Sequence, residues 1–422
     1  MLIVLVEDDR VTQLYPITVS RPACAISCGS FRLVDLAAEL GHPLHLLVRP
    51  HLVDVWRADG WNVGLPGGVA DEPVLMLNAR LVPSAATFLQ LQAMLAAGRP
   101  ALARQATTNG ANSNQAKQVA AALIPAGSLL ATGPGTPQQW TQFLTGLDLP
   151  AWDLELPLFD YPHDIVRHHL TTLGPNLDHR LAHGEYSEIA DGVFAAQGAR
   201  IGQYIVSDTS KGPIVLEAGA SIGPYCYLSG PAHLGAGARV IEQAAIKDCV
   251  ALGHTTKIGG EVEGSIIEPY TNKQHHGFLG HSYLGSWVNL GAGTCNSDLK
   301  NTYGHVNMEY QGQKVATGMQ FIGCLVGDYA KSAINTGIFT GKTIGACSML
   351  YGFVTTNVPS FVNYARSFGQ VTEAPVEVMV ATQLRMFARR NVQQRPCDVQ
   401  LLYDMHELTR HERQIAGEPL SL

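Results

Sequence analysis

Apolar residues recur at more than one spacing along this 422-residue chain, and each spacing predicts a different structure. Near the N-terminus they form short unbroken runs, Leu2–Val6, Leu44–Val48 and Val74–Leu77, with the length of buried strands. Apolar stretches around Phe31–Leu40 and Ala85–Ala97 predict helices between them. This alternation predicts an α/β unit over residues 1–155, built on an open, mostly parallel sheet. Residues 156–185, with Pro157, Pro162 and Pro175 around Asp164–Leu173, read as a connector with one short helix.

The spacing then changes. Steps of six reach Leu216, Ile222, Leu228, Leu234, Val240, Ile246, Leu252 and Ile258, eight aliphatic residues without a break. A helix needs a period of 3.6 and a simple strand a period of 2, so neither explains a strict six. A short strand and a corner, repeated, does. Glycine follows the aliphatic at Gly223, Gly235, Gly253 and Gly259, where the missing Cβ predicts a tight turn. The pattern resembles the hexapeptide repeat of the left-handed parallel β-helix, which is expected over residues 186–360. The phase slips near Ser265 and returns at Leu284, Leu290, Val326, Ile338, Ile344 and Leu350. Two interruptions, Pro269 to His276 and Asn296 to Gln320, are expected to project as loops from one face. Beyond Pro359 the repeat stops, and residues 361–422 are expected to form a helical cap with helices over Val376–Asn391 and Asp398–Ile415. The first carries Arg385, Arg389 and Arg390, which can serve the cap or bind phosphate.

Composition narrows the function classes. With 28 Lys+Arg against 35 Asp+Glu, a formal net charge of −7 leaves no broad footprint for nucleic acid or an anionic membrane, and neither is expected as a partner. No run of 18 apolar residues occurs, and Met1–Val6 leads straight into Glu7, Asp8 and Asp9, as a buried first strand does. The eight cysteines form no CxxC pair, so free thiols in the cytoplasm are expected. Thr107–Gln115 reads as a polar, asparagine-rich loop. The pairs His168-His169 and His275-His276 are the nearest approach to a metal motif, and no metal site is expected.

The segment Asn272-Lys-Gln-His-His-Gly-Phe-Leu-Gly280, followed by Val288-Asn-Leu-Gly-Ala-Gly-Thr294-Cys-Asn296, resembles the acetyltransferase half of the GlmU-like family of bifunctional hexosamine-1-phosphate acetyltransferase/uridyltransferases. That resemblance covers about residues 190–360 and implies a trimeric left-handed β-helix with acetyl-CoA as cosubstrate. It places the catalytic histidine on His275 and implies sugar binding by Asn289 and Asn296. Lys273, Lys300 and Lys257 are candidates for neutralising a sugar phosphate. Coenzyme A is implied along residues 323–355, where Ala333 and Gly345 leave room for the pantetheine arm. Acetyl transfer to an amine needs a base working near neutral pH, the range of an imidazole. The chain departs from the family at Phe278, where an aromatic hydroxyl is expected, and at Glu263, where a lysine is expected.

The N-terminal unit resembles the other half of that family. Leu14-Tyr-Pro-Ile-Thr-Val-Ser-Arg-Pro22 is similar to the Leu-x-Pro-Leu-Thr-x-x-Arg-Pro stretch of sugar nucleotidyltransferases, implying a Rossmann-like nucleotidyltransferase fold. Asp8 to Val11 and Gln13 replace the glycine-rich loop and arginine that cradle the triphosphate, and Ala23 replaces a lysine. Ala79-Arg80 stands where a Gly-Asp would hold magnesium. Nucleotidyl transfer is therefore expected to be reduced, altered or lost, with Mg2+ and UTP needed only if it persists.

These features lead to an acetyl-CoA-dependent N-acetyltransferase acting on a hexosamine-1-phosphate for sugar-nucleotide synthesis, assembled as a homotrimer. Two alternatives stand beside it. One is a working sugar-1-phosphate nucleotidyltransferase whose β-helix serves assembly; the other is a non-catalytic sugar-nucleotide sensor or scaffold.

Overall fold

A computed structural model describes residues 1–66, 71–106, 118–128 and 135–416. The loop expected at Thr107–Gln115 lies outside the described residues. The chain forms two compact units, the first comprising Met1–Leu14, Ser20–Ser27 and Phe31–Tyr161, the second Tyr15–Val19, Cys28–Ser30 and Pro162–Leu422.

The first unit is built on strands β1 (Leu2–Val6), β2 (Leu44–Leu47), β3 (Val74–Asn78), β4 (Ala101–Arg104) and β5 (Val119–Ile124), in the order β2-β1-β3-β5-β4. Helices α1 (Leu33–Glu39), α2 (Val53–Ala58), α3 (Ala85–Ala97) and α4 (Pro137–Thr145) accompany them. Pairing is parallel between β1 and both β2 and β3. It is antiparallel where β5 meets β3 and β4, so the sheet is mixed: β1, β2, β3 and β4 run in one direction and β5 alone is reversed. The reversed strand, Val-Ala-Ala-Ala-Leu-Ile, is buried throughout, and its alanines give it neither alternation nor the bulk that marks a strand in sequence.

The second unit opens with α5 (Pro162–His183), a single helix of 22 residues where a short one was expected. Pro175 lies inside it. A three-faced parallel β-solenoid follows, and its register explains the period of six. Leu216, Leu234 and Leu252 lie on neighbouring rungs of one face. Ile222, Val240 and Ile258 share the second face, and Leu228 and Ile246 the third. All eight face inward into one continuous core. One face continues as a nine-stranded sheet, parallel throughout except where Ser187–Ala190 meets Val193–Ala195.

The glycines act differently from the expectation. A Cβ on Gly223 would lie 2.6 Å from the backbone N of Glu242, and one on Gly253 2.6 Å from that of Pro269. They let successive coils approach, while the left-handed corner falls two residues later, on Tyr225 (φ 60°) and Thr255 (φ 59°).

Of the two interruptions, Asn296 to Gln320 holds an antiparallel hairpin of Asn307–Tyr310 and Gln313–Ala316. Pro269 to His276 is no projecting loop: Asn272–Lys273 is a rung, with Lys257 paired to Asn272 and Ile258 to Lys273. The repeat vanishes from the sequence here because lysine occupies a core position. After the solenoid come α6 (Val376–Ala388), α7 (Pro396–Leu408) and α8 (Arg410–Ala416). The helix expected over Asp398–Ile415 is two helices, parted at Thr409.

Candidate functional site

One ladder of the solenoid carries outward-facing polar residues. Arg239 pairs in register with Lys257, Lys257 with Asn272, Asn272 with Asn289, and Asn289 with Lys331. Because side chains alternate across a strand, each outward residue of this ladder has an inward neighbour in the core. A cavity of about 640 Å³ opens here. Lys257, Asn272, His275, Asn289 and Lys331 line it from the solenoid, and Arg389 and Arg390 from the turn that ends α6. Among the described residues that line it there is no aspartate or glutamate.

An aromatic stack holds this wall together. The Tyr270 and Trp287 rings, both at left-handed corners, lie parallel at 4.2 Å, and Phe387 of α6 packs on Trp287 at 4.6 Å. Arg390 Nη2 donates to Asn272 Oδ1 at 2.6 Å, and Asn272 Nδ2 reaches Asn289 Oδ1 at 3.5 Å. Burial, followed by the charges of Arg390, Arg239 and Arg389, lowers the Lys257 pKa. Burial brings Lys331 down to about 8, and its Nζ donates to the Tyr329 carbonyl at 2.8 Å. Burial and then Arg389 lower Arg390 as well. The neighbouring arginine charges thus disfavour the Lys257 and Arg390 cations, an arrangement that favours an anionic ligand.

The expected residues divide. His275, Lys257 and Asn289 meet at the cavity, with His275 and Asn289 exposed. Lys273 does not face it: only 2% exposed, its Nζ donates to the carbonyls of Gly259 (2.8 Å), Gly277 (2.6 Å) and His275 (3.3 Å). Instead of neutralising a phosphate, it braces the turn that carries His275. Asn296 is likewise turned inward, accepting from the Gly280 N–H at 2.9 Å and donating to the Gly280 carbonyl at 3.0 Å. Lys300 donates to the His305 carbonyl at 2.6 Å within the inserted segment and is not among the cavity's residues. Gly345 leaves no room for a pantetheine arm, because a Cβ there would lie 2.2 Å from Ser360 N. Ala333 is half-buried, beside the cavity residue Ile334. Sequence reasoning missed Lys331 and Asn272; their signal was their place in the ladder below and above Asn289.

The corresponding region of the first unit follows the C-terminal ends of β1 and β3. Glu7 accepts from the N–H groups of Ala23 (3.0 Å) and Arg49 (2.8 Å) and from Arg49 Nε (3.0 Å). Arg80, 0% exposed, donates from Nη2 and Nε to Asp8 at 2.6 and 2.8 Å and meets Asp160 at 3.3 Å. Asn78 adds a hydrogen bond to Asp8 at 2.8 Å. Burial alone would raise the Asp8 carboxyl, but the Arg80 charge and hydrogen bonds hold it below its usual range. These residues do not fit Mg2+. The Asp8 and Asp160 carboxylates already face the Arg80 guanidinium.

Residues 3–180 match the family model described as sugar nucleotidyl transferase. The chain is 28% identical over 149 residues to the bifunctional sugar-1-phosphate nucleotidylyltransferase/acetyltransferase of Sulfurisphaera tokodaii, covering 35% of this chain and 37% of that protein. It is 35% identical over 115 residues to the bifunctional protein GlmU of Ralstonia pickettii, covering 26% and 24%. The chain thus spans less than two fifths of the length of either relative. An Arabidopsis UDP-N-acetylglucosamine acyltransferase structure matches at 12% identity over 56% of this chain and 85% of that one, with a TM-score of 0.24 that carries no argument. Among the described residues no helix is long and apolar enough to cross a membrane. The chain therefore carries a segment that matches the sugar nucleotidyl transferase model together with a β-solenoid, and over part of its length it is similar to bifunctional nucleotidyltransferase/acetyltransferases.

Proposed function

We propose that this protein transfers an acetyl group from acetyl-CoA to the amine of a hexosamine-1-phosphate, at the cavity beside His275. The supporting observation is the exposed His275 imidazole in a cavity whose lining holds four cationic side chains and no carboxylate. As the acceptor nitrogen bonds to the acetyl carbon, His275 takes the nitrogen's proton; the carbon–sulfur bond breaks and the proton passes to the departing thiolate. Lys257 faces the sugar phosphate and Asn289 orients the sugar through its amide. Ala333, beside Ile334, lies on the approach of the pantetheine arm. The similarity to bifunctional relatives supports this reading, and a homotrimer belongs to it because the β-helix family it resembles binds between adjacent solenoids. The nucleotidyltransferase alternative is disfavoured by Arg80, which satisfies the carboxylates a metal would need.

The test measures thiol release from acetyl-CoA with glucosamine-1-phosphate, in parallel with pyrophosphate release from UTP and N-acetylglucosamine-1-phosphate. Thiol release that His275→Ala abolishes in a folded protein supports the proposal. Pyrophosphate without thiol release would transfer the activity to the first unit, and silence in both would leave another acceptor sugar or the sensor or scaffold.

A further inference from the structure

Among the arginines of the second unit, Arg389 and Arg390 are the two that line this cavity. Arg180 pairs with Glu217, Arg395 with Asp398 and Arg413 with Glu373. Arg389 and Arg390 instead line a cavity that already holds Lys257 and Lys331. Their place just past the last turn of α6 favours cations through the helix dipole, which accounts for a positive charge there. The dipole does not account for two guanidinium-bearing residues lining the same cavity as two lysines, where like charges repel. Arg390 is no loose surface group: it is half-buried and tied to Asn272, and Phe387, three residues earlier, is stacked on Trp287, while Arg389 is exposed beside it. That hydrogen bond places Arg390 against the rung from which the chain turns to His275.

A guanidinium offers a planar fork of donors that matches the oxygens of a phosphoryl group, which an ammonium does not. We propose that Arg389 and Arg390 form a clamp for the phosphoryl group of the acyl acceptor, making the cavity selective for a phosphorylated amino sugar over the free sugar. The choice of acceptor rests on the acetyltransferase reading, whereas the clamp rests on the charge arrangement alone. The C-terminal helices thereby supply specificity to a site whose base lies on the solenoid.

Calorimetry on the full chain tests this with four probes: glucosamine-1-phosphate, glucosamine, coenzyme A and pantetheine. The unaltered protein is expected to bind glucosamine-1-phosphate at least about tenfold more tightly than glucosamine. In Arg389→Ala/Arg390→Ala the difference is expected to close to about twofold, while the difference between coenzyme A and pantetheine stays unchanged. Should the alanine pair fail to fold, Arg389→Gln/Arg390→Gln keeps most of the stems and removes both charges. A sugar-phosphate preference that survives loss of both arginines overturns the clamp, as does its absence from the unaltered protein. Loss of the coenzyme A difference alone overturns the assignment to the acceptor. Arginine-dependent phosphate binding without any thiol release would instead overturn the acetyltransferase reading and leave the clamp standing.

Discussion

Two clusters of cations differ in what the molecule sets against them. In the first unit Arg80 and Arg49 meet Asp8, Asp160 and Glu7 at short range, away from solvent. In the second, Lys257, Lys331, Arg389 and Arg390 line a cavity with no carboxylate in its wall. The first cluster carries its own counter-ions: Glu7 accepts from the backbone N–H groups of Ala23 and Arg49, and the guanidinium of Arg80 pairs with Asp8 and Asp160. Such a site is satisfied internally. The second still lacks its counter-charge and has the exposed imidazole for chemistry. The contrast teaches that basic residues at a pocket indicate function when no acid of the same chain has claimed them.

The comparison breaks most severely at His275. If the cavity is the catalytic one, His275→Ala lowers acetyl transfer by about 10²–10⁴-fold with the thermal transition unchanged, as followed by thiol release. A fall below tenfold would remove His275 from the role of base. The closed cluster is probed next by Arg80→Ala, which leaves Asp8 buried without its cation and is expected to destabilise the protein by about 3–5 kcal/mol in urea unfolding. Adding Asp8→Asn should recover part of that loss, because the stranded charge is then gone. The Asp8 pairing contributes stability above the usual carboxylate value of 3.8 that is lost as pH falls through its lower folded value, so Arg80→Ala should flatten the acid limb. Pyrophosphate release from UTP should be absent with or without added Mg2+.

The solenoid was legible because packing repeats it: each of eight aliphatics six residues apart is a rung of one core. Of the residues singled out in the sequence, Lys257, His275 and Asn289 line the candidate cavity, where side chains point outward from that repeat. Lys273 and Asn296 misled because their residue types suit a phosphate or a sugar equally well, and only the three-dimensional register shows them turned inward. The reversed strand Val119–Ile124 escaped because strand direction is a property of pairing, which alanine-rich runs do not encode locally. Arg389 and Arg390 stood out as a cluster, yet they lie more than a hundred residues after His275, so only the packing of α6 brings them to it.

Lys273 supplies a sharper test, since its two possible roles leave different kinetic traces. As a brace, it holds the carbonyls of His275, Gly277 and Gly259 together. Lys273→Met fills a similar volume but strands those acceptors, which should cost about 1–3 kcal/mol of stability. The turn that carries His275 then loosens, so kcat should fall while KM for the sugar phosphate stays within about twofold. A direct phosphate contact would raise KM instead, together with a weaker salt dependence.

The smallest expected effect concerns the charge of the open cluster itself. Burial lowers Lys331 to about 8, so the residue is charged below that pH and loses its proton as pH rises through it. An anion in the cavity favours the charged form, so affinity should decline across the same interval. Glucose 1-phosphate is the suitable probe: it has no amine, and its phosphate, with a second pKa near about 6, keeps its charge above neutrality. Between pH 7 and pH 9 its affinity should fall by about fivefold, on the order of 1 kcal/mol for one weakened charge contact. Lys331→Met should bind more weakly at pH 7 and show a flatter profile, because the titrating group is gone while the arginines keep their charge. A profile that keeps its slope without Lys331 would mean that the lysine lies outside the anion's reach. The open cluster would then consist of Lys257 and the two arginines that follow α6, Arg389 and Arg390.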